Sequence, residues 1–260
     1  MDIITDNLTI TNPIIGDAVN RMDPEPIKNL VRRCEAAGAE MIDINSGPLT
    51  RNPEEKMIFL VDAVRQISTL PLLLDTSNPV ALEAGLKACK GKAIINGFSL
   101  EPDKLAHILP LAKIFETRIV GYLLYPNSNV PADGQERLDV ALELYSRFSE
   151  AGLTPEQLII DPVIPPLIWQ NGHTQAMEVV NVIRTLPDLL GFKVKTIAGI
   201  SNLTSGPGDK ERKRLFEQCY VAMLAEAGLT MALVNVFHVE AVAAIRACAI
   251  LTGTKVFSWV

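Results

Sequence analysis

The chain has 260 residues, 48% of them hydrophobic and 5% aromatic, with a formal net charge of −6 from 24 basic and 30 acidic side chains. That length supports a full core and matches one eight-fold barrel, and the acidic balance argues against nucleic acid, which needs a basic face. No apolar stretch reaches the roughly 18 residues of a membrane span and no charged-then-apolar signal opens the chain, so no membrane contact and a cytoplasmic location are expected.

Apolar strand-like runs alternate with amphipathic helical patterns from end to end. Ile3 to Ile10 reads as strand one, and Asp23-Pro24 starts a helix that Gly38 stops after Ala37. Met41–Asn45 is strand two, followed by a helix from Asn52-Pro53 to about Ile67. Leu72–Asp75 is strand three, and Asn78-Pro79 caps a helix to Cys89. Ala93–Asn96 is strand four, with a helix over Pro102–Phe115, and Arg118–Leu124 is strand five, with a helix over Gln135–Ala151. Leu158–Ile160 is strand six before a helix over His173–Leu186, and Lys195–Ile200 is strand seven before a helix over Asp209–Ala227. Met231–Asn235 is strand eight, and Val239–Leu251 is the closing helix. Strict alternation implies parallel strands with right-handed crossovers. Eight units can close on themselves, whereas an open doubly wound sheet usually has five or six strands. With no Pro/Gly/Ser-rich linker to divide it, the expectation is α/β: a single (β/α)8 TIM-barrel domain over residues 1–260.

Cys34, Cys89, Cys219 and Cys248 each fall in a helical pattern, with no Cys-x-x-Cys pair and no His at zinc-ligand spacing, so they read as free core thiols. The densest basic run, Lys210–Arg214, reads as a solvated helix face or as a contact for an anionic group.

Several strands share one design: a short apolar run ending in Asp or Asn, then a turn. The tips are Asp43 and Asn45, Asp75, Asn96, Asp161, and Ser201-Asn202 after strand seven. Strands this apolar are buried on both faces, so their polar ends are not core filling, and a barrel gathers such tips on one rim. Each tip could merely cap the following helix. For Asp75 this is weak, because Asn78-Pro79 already starts a helix; for Asp161 the following Pro-Val-Ile-Pro-Pro leaves no immediate helix to cap. Carboxylates accept hydrogen bonds and donate none, so Asp75 and Asp161 with the Asn96 amide suit a flat heterocycle bearing several N–H donors and a carbonyl. A hard cation on Asp43, Asp75 and Asp161 is the competing use. No strand tip carries a His (His107, His173 and His238 lie in or beside helices), which disfavours zinc or iron, and no bound metal is expected. The stretch Ser201–Gly208 stands where many barrels bind phosphate, but it has neither a P-loop ending nor a dinucleotide fingerprint, and a plain connecting loop is the other reading.

These motifs resemble the pterin-binding methyltransferases that move a methyl group between tetrahydrofolate and a corrinoid protein, whose fold is like that of dihydropteroate synthase. The resemblance is carried by Arg33–Ala39 leading into Ile42–Pro48, by Leu74–Asn78 and Glu83–Lys87, by Ile94–Asn96, by Ile160–Pro162 and by Gly199–Asn202. It implies that Asp75, Asn96 and Asp161 hold the pterin and that Asn202 hydrogen-bonds N5, the nitrogen that carries the methyl group. Asp43, Asn45, Gly199 and Ser201 would line the same cavity. It implies tetrahydrofolate or 5-methyltetrahydrofolate as substrate, cobalamin carried only on a separate corrinoid partner protein, a homodimer, and a place in one-carbon metabolism. Two stretches depart from the family pattern: Ile4–Thr9, where relatives run Gly-Glu-Arg-Ile-Asn, and Ser205–Gly208. Dihydropteroate synthesis needs cationic groups for a pyrophosphate leaving group, and Ser201-Asn202 offers an uncharged amide there. A folate-binding subunit without turnover is the remaining alternative.

Overall fold

The computed structural model describes residues 1–89, 93–253 and 255–256. Eight parallel strands close into a barrel in sequence order. In chain order the elements are β1 (Asp2–Thr9), α1 (Pro13–Arg21), α2 (Glu25–Ala37), β2 (Met41–Asn45), α3 (Pro53–Arg65), β3 (Leu72–Asp75), α4 (Pro79–Ala88) and β4 (Ala93–Phe98). Then follow α5 (Pro102–His107), α6 (Leu109–Ile114), β5 (Arg118–Tyr122), α7 (Gly134–Glu150), β6 (Leu158–Asp161) and α8 (Gly172–Leu190). The chain ends with β7 (Lys195–Gly199), a 3-10 turn (Ile200–Thr204), α9 (Lys210–Glu226), β8 (Met231–Val234) and α10 (Val239–Leu251).

Local chemistry sets the helix starts. Proline at the first helical position gives up an N–H that would be orphaned anyway, and an Asx side chain satisfies its neighbours. Asn12 Oδ1 accepts from the Ile14 N–H at 3.0 Å, and Asn78 Oδ1 accepts from Val80 at 3.0 Å and Ala81 at 3.3 Å. Gly38 ends α2 at φ +102°, a left-handed backbone that residues with a Cβ rarely adopt.

Eight side chains, one per strand, fill the barrel interior: Ile4, Met41, Leu73, Ile94, Val120, Ile159, Ile197 and Met231. All eight are buried, and this apolar plug is the floor on which the polar rim is built.

The fold differs from the sequence expectation in four places. Helix α1 has no counterpart among the expected elements, although Asn12-Pro13 carries the same start signal as Asn78-Pro79. The helix expected over 102–115 divides at Ile108, because Pro110 has no N–H to continue the ladder. Helix α8 runs on to Leu190, with Pro187 near its end. Strand β4 reaches Phe98, and its register against β5 slips between Asn96 and Phe98. There Gly97 lies so close to the Val120 carbonyl that a Cβ would sit 2.3 Å from its oxygen. The four cysteines form no disulfide, as expected, but Cys219 is exposed rather than in the core. Among the described residues no helix is long and apolar enough to cross a membrane.

Candidate active site

In a strand, residues two apart share a face, so the position two beyond each plug residue stands one layer higher inside the barrel. Those positions are Asp6, Asp43, Asp75, Asn96, Tyr122, Asp161, Gly199 and Leu233. All eight line one cavity of about 340 Å³ at the C-terminal mouth of the strands, together with Thr9, Asn45, Ile197, Ser201 and Asn202. Every sequence-predicted site residue (Asp43, Asn45, Asp75, Asn96, Asp161, Gly199, Ser201 and Asn202) is in this lining. A larger groove of about 580 Å³ lies outside the barrel, lined by Met22, Ile58, Phe59 and the acidic Glu54, Glu55 and Asp62. It has no convergent inner-face polar groups, so volume alone does not make it the site.

Asp6 and Tyr122 were missed as site residues. Asp6 lies mid-strand rather than at the end of an apolar run, and Tyr122 reads as an ordinary aromatic strand residue. Counting two positions beyond Ile4 and Val120 finds both.

The rim is cross-linked. Tyr122 Oη donates to Asn96 Oδ1 at 2.6 Å, and the Asn96 side chain pulls the Asp43 carboxyl down. Asn45 Nδ2 donates to Asp75 Oδ2 at 2.6 Å, and the Val163 N–H donates to Asp161 Oδ1 at 2.8 Å. Asp161 is braced from outside by Arg137, a fully buried guanidinium on α7 whose Nη1 donates to the Pro162 carbonyl and, at 3.1 Å, to that of Val163. Val163 holds φ +60°, an uncommon backbone for a β-branched residue, and the Arg137 contacts help to hold it. Gly199 lies tight against Asn202: a Cβ there would meet Asn202 Nδ2 at 3.0 Å, and the carboxamide would have to shift. The Asn202 carboxamide folds back over Gly199 and lines the cavity from the 3-10 turn, whose Ile200 and Leu203 are buried.

Burial dominates the electrostatics. It pushes the carboxyl of Asp161 up to about 7, against the pull of the Val163 N–H and Arg137. It lifts Asp75 to about 6, with Lys104 pulling the other way, and Asp6 to about 6, opposed by the His238 ring and the Ser201 hydroxyl. Asp43 rises well above the usual carboxylate range, through burial and then the neighbouring Asp75 and Asp6, and its Oδ1 is buried without a hydrogen-bond partner. Burial likewise raises the Tyr122 phenol, which stays protonated and donating. Among the described residues the lining holds four carboxylates and neither Lys nor Arg. The cation Lys104 stands outside it, its Nζ 5.5 Å from the Tyr122 ring centroid. Also among the described residues, no three carboxylate, thiol or imidazole groups converge as a metal site. The cavity is therefore a set of acceptors short of donors, and it suits a flat, neutral ligand that brings several N–H groups.

Comparison with known proteins fits that chemistry. The chain is similar to the methylcorrinoid:tetrahydrofolate methyltransferase of Eubacterium limosum, 23% identical over 256 residues that cover 97% of this chain and 92% of the relative. Its fold is similar to a dihydropteroate synthase from Coxiella burnetii in complex with pteroic acid, with a TM-score of 0.67, 15% identity, and 98% of this chain and 94% of that one covered. A dihydropteroate synthase from Xanthomonas albilineans with 4-aminobenzoic acid matches at a TM-score of 0.66 and 19% identity, over 99% of this chain and 94% of that one. A family model described as pterin binding enzyme matches residues 11–235, which hold seven of the eight strands and all the sequence-predicted site residues, and the chain thus belongs to the pterin-binding enzymes.

Proposed function

We propose that the chain is a methyltransferase acting between N5 of tetrahydrofolate and the cobalt of a separate corrinoid protein. The observation that carries this reading is the cavity lining: four carboxylates, three amides and no cation. The 2-amino-4-oxo edge of a pterin offers adjacent N–H and NH2 donors, which Asp75 and Asp161 accept while Asn96 takes up the remaining polar edge. Asn96 is oriented for this by Tyr122. Dihydropteroate synthesis, the activity of the structural neighbours, releases pyrophosphate, and a lining without Lys or Arg gives that anion no counter-charge.

The strands that supply Asp75, Asn96 and Asp161 (β3, β4 and β6) leave β7, β8 and β1 as the other wall. A pterin gripped by its pyrimidine edge then presents N5 toward Asn202, which follows β7. The Asn202 carboxamide oxygen accepts from N5–H as positive charge develops there, and the same contact orients the N5 lone pair when folate is the nucleophile. The relative's name gives transfer from methylcorrinoid to tetrahydrofolate, and the same contacts serve the reverse. Cobalamin belongs to the partner, because the cavity beneath the rim is too small for a corrin. Residues 1–260 act as one domain, in a cytoplasmic homodimer whose open barrel mouth admits the corrinoid protein.

The test is single-turnover methyl transfer between tetrahydrofolate and a free corrinoid, with wild type and Asn202→Ala. We expect the variant to lose transfer rate far more than folate affinity. Equal losses would remove Asn202 from the chemistry. Tight folate binding without any wild-type turnover would leave a binding subunit in place of an enzyme.

A further inference from the structure

A carboxamide gives up no proton at neutral pH, so Asn202 cannot itself protonate N5 as the methyl group leaves, and the wall beside it holds a group that can. Asp6 lines the cavity, and its carboxyl feels the imidazole of His238 and the hydroxyl of Ser201, the neighbour of Asn202 on the 3-10 turn. His238 ends the connection from β8 and precedes α10. Its Nδ1 is buried with no hydrogen-bond partner and lies 3.6 Å from Glu217 Oε2, while the side chain as a whole is 30% exposed. The ring therefore spans from the interior to solvent. Glu217, on α9, is only 3% exposed, and the Thr204 hydroxyl donates to its Oε1 at 2.5 Å.

Burying two carboxylates and an imidazole beside one another is costly unless the charges work together. They are not a cation site, since no metal-binding group of three such side chains forms among the described residues. Asp6 and His238 also lie outside the 11–235 span that matches the family model.

Building on the methyltransferase reading, we propose that Asp6 is the acid–base group at pterin N5, with His238 and Glu217 as the residues that link it to solvent and set its charge. In transfer toward cobalt, the N5–CH3 bond breaks and its electron pair stays on N5. The electron pair of the cobalt nucleophile forms the new bond to carbon, and the Asp6 carboxyl proton moves to N5. Asp6 is left as carboxylate and regains a proton from solvent through the His238 ring. In the opposite transfer the N5 lone pair takes the methyl group, the cobalt–carbon pair returns to cobalt, and the N5 proton passes to the Asp6 carboxylate. The His238 ring is the natural carrier, because one imidazole nitrogen can take up a proton while the other gives one up.

The groups facing Asp6 are Asp43 from β2, Cys34 from α2, Glu217 from α9, Ser201 from the turn and His238. The His238 ring pulls the Asp6 carboxyl down and Glu217 pushes it up, against a level of about 6 set mainly by burial. Transfer from 5-methyltetrahydrofolate to free cob(I)alamin needs protonated Asp6, so its rate falls as pH rises through that group's titration. His238→Gln should move this limb to higher pH and Glu217→Gln to lower pH. A purely structural role for either residue would not give shifts of opposite sign.

Asp6→Asn, which keeps the shape, should slow transfer by about a hundredfold or more and abolish the limb while the Kd for 5-methyltetrahydrofolate is unchanged. A readout independent of turnover is the NMR titration of the His238 ring between about pH 5 and 8, which should show two steps in the wild type and one in Asp6→Asn. Wild-type rate in Asp6→Asn, shifts of the same sign in the two relay variants, or an unaltered His238 titration in Asp6→Asn would each overturn the proposal. Failure of the wild type to bind folate at all would instead remove the pterin reading on which it rests, and the His238 titration would still decide whether Asp6 and His238 are linked.

Discussion

Replacing Asp161 with Asn removes a buried charge while keeping the shape and the acceptor that the Val163 N–H uses. The carboxyl titrates at about 7 in the fold against an ordinary 3.8, so the native state holds a proton that the unfolded chain has given up. Stability is therefore unaffected by this group below about pH 4, falls as pH rises toward 7, and carries the whole penalty above that. The rise corresponds to a ceiling of about 4 kcal/mol, at ~1.4 kcal/mol per decade of proton affinity. Water in the open cavity screens the charge, and about 1–2 kcal/mol is the expected gain from the substitution at pH 8. For a chain of this size that raises Tm by roughly 3–6 °C. Differential scanning calorimetry at about pH 4 and pH 8 should show the two proteins converging at the lower pH and the variant melting higher at the upper. Folate binding should be lost in the same variant, because an amide placed against ring donors presents an N–H where an acceptor is needed. A variant that melts lower at both pH values and still binds folate would show that Asp161 is a turn anchor, and the argument from buried charge would be wrong.

Three smaller perturbations probe the rim. Gly199→Ala should fold normally yet slow methyl transfer, because the new methyl group displaces the Asn202 carboxamide, 3.0 Å from where a Cβ would stand; an unchanged rate would free Asn202 from any need for exact placement. Tyr122→Phe removes the donor that orients Asn96 and should weaken folate binding by about 1 kcal/mol, roughly fivefold in Kd by calorimetry. Arg137→Met keeps bulk but drops the contacts to the 162–163 turn; it should lower Tm and push the Asp161 carboxyl higher, readable as a folate affinity that is lost, as pH falls, at a higher pH than in the wild type.

The barrel was legible because the strands are short, largely apolar runs of four to eight residues that alternate with amphipathic helices. Asx-Pro and glycine punctuation then marked most of the helix ends. The split between α5 and α6 was not seen because the apolar spacing continues through Pro110, while a missing N–H interrupts the backbone ladder. Helix α1 is an extra nine-residue helix between β1 and α2, for which the strand–helix alternation has no place. The rim was legible where a polar residue closes an apolar run, as at Asp75, Asn96 and Asp161. It was hidden at Asp6, where β1 continues for three more residues and its register slips against β2 between Thr5 and Leu8. The partnership of Asp6 with Glu217 and His238 joins three elements distant in the chain, and only closure of β8 onto β1 brings them together.

The most direct measurement of the central claim is a calorimetric titration of wild type and Asp75→Ala with tetrahydrofolate. Asp75 makes one hydrogen bond to Asn45 in the fold and is otherwise an acceptor on the cavity wall. One saturable site in the wild type, with affinity largely lost in an alanine variant that still melts cooperatively, is the expected outcome. Heat of binding absent from the wild type, or identical in the two proteins, would mean that these carboxylates do not grip a pterin.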